Sequence, residues 1–241
     1  MDARSFPLMI AIDGPAASGK STLARRLAEA LGYLYFDTGV LYRAVTWAAL
    51  QRGLSPRDEA AMTRLASELA IDVRPPSQAD GRSNDVWVDG QDVTWAIRSP
   101  EVDAWVAAVA AHPGVRQALL EVQRRIGRQG RVVMVGRDIG TVVLPEADFK
   151  IYLDASLEER ARRRYEELRA RGQPVSFDEV LARMRARDRT DAGRSVAPLR
   201  PAPDAWVLVT DGLTPDQVFT RVWDVLQRRA APHPSDGAEA S

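Results

Sequence analysis

Hydrophobic and polar positions along the chain alternate between apolar runs of strand length and stretches whose apolar residues recur at helical spacing. Leu8-Met-Ile-Ala-Ile12 is the first such run, and the segment Thr22 to Leu31 sets Leu23, Leu27, Ala30 and Leu31 on one helical face. Tyr33-Leu-Tyr-Phe36 predicts a second short strand, Val40 to Gln51 a second helix and Ser55 to Leu69 an amphipathic third. Pro100 to Ala111 and Pro113 to Arg128 read as two helices, the second opening on a proline whose missing N–H is no loss in a first turn. Ala104, Ala107, Ala108 and Ala111 predict close packing of the first of these against a neighbour. Arg131-Val-Val-Met-Val135, Phe149-Lys-Ile-Tyr-Leu153 and Asp204-Ala-Trp-Val-Leu-Val209 are three more strands, with Thr214 to Arg229 a last helix.

Strands and helices taking turns predict a three-layer α/β/α fold on a five-stranded parallel sheet. The rhythm breaks once. Ile71-Asp-Val73, a polar loop from Pro75 to Gly81, and Asp85-Val-Trp-Val88 joined by Asp89-Gly90 to Gln91-Asp-Val93 predict a small antiparallel insert on the edge of the main sheet. A single domain over 1–229 is expected, with this insert at about 70–111, a helical lid at about 155–195, and a disordered tail over 230–241.

Charge sharpens one region. The formal net charge is +0, which argues against bulk electrostatic binding to nucleic acid. Yet Leu157 to Arg200 holds twelve arginines against eight acidic residues, in two runs (Arg160-Ala-Arg-Arg-Arg164 and Arg187-Asp-Arg-Thr-Asp191-Ala-Gly-Arg194) on either side of a Gly172-Gln-Pro174 break. Two arginine-lined helices on a glycine–proline hinge describe a cover that closes over phosphates; the plainer alternative is a pair of solvated helices. Cysteine is absent, which excludes disulfides, thiolate catalysis and cysteine–zinc sites. The two histidines, His112 and His233, lack metal-ligand spacing and read as structural or solvated. The first seven residues are too short and polar for a signal peptide, and no apolar run approaches about 18 residues. A cytoplasmic monomer acting on small molecules, with no nucleic-acid or membrane partner, is the expectation.

The candidate chemistry starts where the first strand meets the first helix. Gly14-Pro-Ala-Ala-Ser-Gly-Lys-Ser-Thr22 fits the phosphate-loop template, Gly14, four residues, then Gly19-Lys20-Ser21. A strand that turns through glycines into a helix aims unpaired N–H groups at one point with the positive helix end behind them. Gly14, Pro15, Ala16, Ala17, Ser18, Gly19, Lys20, Ser21 and Thr22 would seat a polyphosphate, Lys20 reaching the β and γ groups and the Ser21 hydroxyl holding Mg²⁺. Lys20 and Lys150 are the only lysines, so a lysine here looks chosen for its compact ammonium. Asp37-Thr-Gly39 and Gly136-Arg-Asp-Ile-Gly-Thr141 both follow strands, where ligand groups of open α/β sheets lie. Arg43 is placed for a bidentate phosphate contact, or for an ordinary surface ion pair.

These segments together resemble the bacterial cytidylate kinase family of nucleoside monophosphate kinases, from Leu8 to about Arg229. The likeness rests on Ile12-Asp-Gly-Pro-Ala-Ala-Ser-Gly-Lys-Ser, Asp37-Thr-Gly-Val-Leu-Tyr-Arg43, Gly136-Arg-Asp-Ile-Gly-Thr-Val-Val, Tyr152-Leu-Asp-Ala-Ser and Arg187 to Leu199 in that order. The resemblance implies ATP or a related triphosphate as donor, with Mg²⁺, and CMP or dCMP as acceptor. It further implies that Thr38, Arg43 and Arg137 hold the acceptor's phosphate, that Arg116 and Asp138 read the cytosine edge, and that Asp191 with Arg187 holds the ribose side. Arg194 and arginines of the first run, Arg163 among them, would close over the transferring group beside Lys20 and Arg137. Where the family often has a serine against the base, this chain has Ala107.

An acceptor phosphate, with a second pKa of roughly 6, needs no general base. The chemistry reduces to aligning two polyanions and spreading charge, which suits one lysine, one metal and many arginines. Another kinase of this architecture, acting on UMP, dTMP or a sugar acid, stays open. So does a hydrolase, although no Asn-Lys-x-Asp motif is present and Leu153-Asp154 lacks the following acid common in motor ATPases.

Overall fold

The computed structural model describes residues 6–170, 172–192 and 199–230, with the side chains of 187 and 190–192 excepted. From β1 (Met9–Asp13) the chain runs through α1 (Lys20–Leu31) to β2 (Leu34–Asp37), α2 (Gly39–Gln51) and α3 (Glu59–Glu68). Next come three short strands, β3 (Ile71–Arg74), β4 (Asp85–Val88) and β5 (Gln91–Asp92), a 3₁₀ turn over Ala96–Arg98, then α4 (Pro100–Ala111) and α5 (Pro113–Gly127). The remainder is β6 (Val132–Val135), a π-helical turn over Ile139–Val143, β7 (Phe149–Asp154), α6 (Leu157–Ala170), α7 (Phe177–Ala192), β8 (Trp206–Val209) and α8 (Pro215–Ala230).

Five strands form the expected parallel sheet, in the order β2-β6-β1-β7-β8. Alternate residues of β1 explain the three layers. Ile10 and Ile12 pack with Leu23 and Leu27 of α1 and Val222 and Leu226 of α8, whereas Ala11 faces the opposite core, with Leu41, Val45, Met62 and Leu119. Because β1 is central, with Ile12 beside Val135 of β6 and Asp13 beside Tyr152 of β7, the loop after it lies between the loops after its neighbours.

The insert is its own three-stranded sheet, β3-β4-β5, not joined to the edge of the main sheet as expected. Its inward side, Ile71, Val73, Val86 and Val88, shares the core of α2, α3 and α5. Asp89 and Gly90, both at positive φ, make its tight turn. Arg82, nearly buried, ties Asp80, Asp85 and Asp92 together and fixes the polar loop before β4. Of the alanines expected to pack in α4, only Ala108 is half-buried; Ala104, Ala107 and Ala111 are exposed, and Val102 and Val109 are buried instead. Alanine loses little by exposure, so the larger valines decide which side turns inward. α3 starts at Glu59, later than Ser55, because the Asp58 carboxylate caps it through the Ala61 N–H at 2.9 Å.

Two helices, α6 and α7, in the region expected to be a lid, pack around Ala161, Leu168, Val180 and Met184, and Ala16 and Ala17 pack against this cluster. His112 is structural, its Nε2 lying 2.9 Å from the Pro56 carbonyl oxygen. Ala230 still belongs to α8, while the remainder of the expected tail, with His233, lies outside the described residues. No helix among the described residues is long and apolar enough to cross a membrane.

Candidate active site

Gly14 opens the loop at φ 144°, and a Cβ there would sit 2.0 Å from the Leu153 carbonyl oxygen, so only glycine lets β1 pass β7 and turn. Positive φ at Ala17 and Gly19 curls the loop back over the start of α1. The first N–H groups of that helix have no carbonyl one turn behind them and form an anion seat. Lys20, 6% exposed, folds its ammonium onto the Pro15 carbonyl at 2.5 Å, with Ser18 Oγ at 3.5 Å.

Beside it, the end of β2 is held to β6. Thr38 donates both its backbone N–H and its hydroxyl to the Val135 carbonyl, each at 3.1 Å. Gly136 permits this approach, since a Cβ would meet Ile139 Cδ1 at 2.5 Å and Thr38 Oγ1 at 3.0 Å. Arg43, in the first turns of α2, is tied by Nη1 to Asp103 at 2.5 Å and to the Ile97 carbonyl at 3.2 Å. It also lines a polar cavity of about 260 Å³ with Ser21, Arg25, Tyr35, Asp37, Asn84 and Arg98. Both side-chain polar atoms of Asn84 are buried there without a partner among the described residues, and burial pushes the Tyr35 phenol well above its ordinary range.

On β6's side of the cleft, Arg116 of α5 reaches Asp138 at 2.9 Å, and its guanidinium lies 5.8 Å from the centre of the Tyr42 ring. Arg116 Nε is buried with no partner among the described residues, a donor available to a ligand. Arg137 is half-buried beside this pair, Nη1 3.5 Å from its neighbour's carbonyl at Gly136. Both follow the strand that pairs with β1, which brings Lys20, Thr38, Arg137 and Asp138 to neighbouring strand ends.

The arginines of α6 turn to different partners, a division that periodicity does not reveal. Arg160, 5% exposed, reaches the phosphate loop at the Ala16 carbonyl (3.4 Å) and grips Asp188 of α7 at 3.1 and 2.6 Å. Arg163 turns instead to Glu159 at 2.8 Å and to Thr210, whose hydroxyl lies 3.4 Å from the Ser18 carbonyl. The backbone of Arg187 and Asp191 lies in α7, but their side chains, and all of Arg194, are outside the described residues.

Asp13, which the sequence marks only as part of the loop motif, is a further buried charge of the site. It is 4% exposed and accepts the Ile139 N–H at 2.8 Å and the Gly140 N–H at 2.7 Å. Burial raises its pKa to about 6, opposed by those two amides.

The family model described as cytidylate kinase matches residues 10–228. The chain is 58% identical over 209 residues to the cytidylate kinase of Chloroflexus aggregans, covering 87% of this chain and 89% of that one. Against the cytidylate kinase of Herpetosiphon aurantiacus it is 51% identical over 216 residues, with 90% and 93% covered. It also matches 42% of the bifunctional pantoate ligase/cytidylate kinase of Synechococcus sp. (strain JA-3-3Ab), at 49% identity over 93% of this chain.

Proposed function

The chain belongs to the cytidylate kinase family, and from that premise we propose how its residues transfer the γ-phosphoryl group of ATP to CMP or dCMP, giving CDP or dCDP and ADP. The phosphate loop from Gly14 to Thr22 takes the donor, with Lys20 leaving the Pro15 carbonyl for the β and γ phosphates. On the acceptor side, Thr38 turns its hydroxyl proton from Val135 to the phosphate, and Arg137 and the remaining N–H groups of Arg43 complete the grip. Arg116 and Asp138 offer a donor and an acceptor side by side, the complement of a cytosine edge; Arg116 Nε, buried and unpartnered, carries this assignment.

A dianionic phosphate is already a nucleophile at neutral pH, so these groups align it and spread developing charge; none has to remove a proton. Arg160 and Arg163 hold the lid and the Thr210 loop against the phosphate loop, and Arg194 closes over the moving group. Asp191 and Arg187 take the ribose side. Ser21 would hold Mg²⁺, and the Asp37 carboxylate in the same cavity is a second hard oxygen, a donor set that fits this ion. When bound, Mg²⁺ neutralises charge on the donor's phosphates.

A coupled assay of ADP release across CMP, dCMP, UMP, dTMP and AMP tests the reading. CMP or dCMP should give the highest kcat/KM; ADP release indifferent to every acceptor would point to a hydrolase instead. Ala107, exposed on α4, offers no hydroxyl to the base, so the ratio of CMP to UMP measures what Arg116 and Asp138 achieve without it.

A further inference from the structure

Asp13 is the last residue of β1 and directly precedes Gly14 of the phosphate loop. Its two carboxylate oxygens take one backbone N–H each, from Ile139 and Gly140, 126 and 127 residues away. Those amides belong to the π-helical turn that follows Arg137 and Asp138. Within that turn Val142 and Val143 bond to the Asp138 carbonyl and Leu144 to the Ile139 carbonyl, so the first amides depend on an outside acceptor.

A buried carboxylate is a costly device for holding a turn unless two acceptors are needed at once. Asparagine would present one acceptor and one N–H, and that N–H would face a backbone donor. The surroundings do little else to settle the charge: Asp138 opposes it, Lys20 favours it, and Tyr152 lies close by on β7. Lys150, whose stem lies along Gly140, sends its ammonium to Pro145 and Asp204.

We infer that Asp13 is a positioning residue for the acceptor: its carboxylate pins the 136–141 turn, and with it Arg137 and Asp138, to the strand that carries the donor loop. The inference rests on the assignment of Arg137 and Asp138 to the acceptor. A turn released from that carboxylate keeps its residues but loses their alignment, and small misplacements of binding groups are expensive in rate.

The test is Asp13→Asn, with the KM for CMP and for ATP measured separately and amide hydrogen exchange followed over 136–141. The expected result is a KM for CMP raised tenfold or more, a KM for ATP within about twofold of the parent, and faster exchange at Ile139 and Gly140. A purely structural role lowers the melting temperature and the active fraction but leaves both KM values in place, and that outcome overturns the inference. So does an equal rise in both KM values with exchange at the turn unchanged. Asp13→Ser, which keeps one acceptor, is read the same way if the first variant does not fold; failure of both to fold assigns Asp13 to the core alone and also overturns it. Asp138→Ala is run in parallel. If that variant leaves the KM for CMP unchanged, the acceptor reading itself has failed, and this inference with it; if it raises the KM and Asp13→Asn does not, the reading stands and the role of Asp13 falls.

Discussion

The guanidinium of Arg160 grips the Asp188 carboxylate on two nitrogens, at 3.1 and 2.6 Å, while Nη1 also lies 3.4 Å from the Ala16 carbonyl. One side chain therefore joins α6 and α7 to the loop after β1. Removing Asp188 leaves a 5% exposed guanidinium without its counter-charge, whereas Asp188 itself is partly open to solvent. Asp188→Ala is expected to destabilise by about 2 kcal/mol, less than a fully buried pair. In a protein of this size that lowers the melting temperature by roughly 4–8 °C. A thermal melt that does not move would show that water replaces the carboxylate.

Lys20 carries a different prediction, because its ammonium lies against its own loop, 2.5 Å from the Pro15 carbonyl and 3.5 Å from Ser18 Oγ. Its charge is needed most as the phosphoryl group transfers. Lys20→Ala should lower kcat by about 10²- to 10³-fold while CMP binding, measured by calorimetry, stays within about threefold. Lys20→Arg should not restore turnover, since a planar guanidinium does not replace a compact ammonium in a closed loop.

For the acceptor, Asp138→Ala removes one side of the base-reading pair and leaves Arg116, whose side chain is 13% exposed, short of a partner. A lost hydrogen bond to a charged group corresponds to roughly a 10- to 100-fold rise in the KM for CMP. The KM for UMP should change less, because its edge does not match the pair in the parent protein. Identical changes for CMP and UMP would assign Asp138 to phosphate or sugar.

Much of this was readable from the chain because the signals are local. The phosphate loop needs one glycine before a strand crossing and one before a helix, and Gly14 and Gly19 sit at those places. The strand ends at Asp37 and Gly136 were visible because apolar runs stop there. Periodicity could not choose among the arginines of 160–164: only the fold shows that Arg160 faces Ala16 and Arg163 faces Thr210. Nor could it weigh alanine against valine on α4, where both count as apolar but only valine repays burial. Asp13 was hidden for another reason. Its partners are backbone amides more than a hundred residues away, and backbone groups carry no sequence signature.

The same carboxylate gives opposite pH signs for stability and function. In the folded protein its pKa is raised from 3.8 to about 6, chiefly by burial, so between these values the folded state binds a proton that the unfolded chain has released. Its contribution to stability is therefore greatest below about pH 4 and falls by about 3 kcal/mol as pH rises through 6. Asp85, Asp92, Glu159 and Asp211, whose pKa values are depressed, act the other way and lose stability in acid. The Asp13 part appears as the difference between parent and Asp13→Asn in chemical denaturation at pH 4 and pH 7, with the parent gaining relative to the variant on acidification. Catalysis runs in the opposite sense, because a protonated carboxyl cannot accept both the Ile139 and Gly140 N–H groups equally well. The KM for CMP should rise in the parent as pH falls from 7 to 5, more steeply than the titration of CMP's own phosphate requires, whereas Asp13→Asn should show only the phosphate's titration. Parallel pH profiles in the two proteins would mean that the proton on Asp13 does not reach the acceptor site.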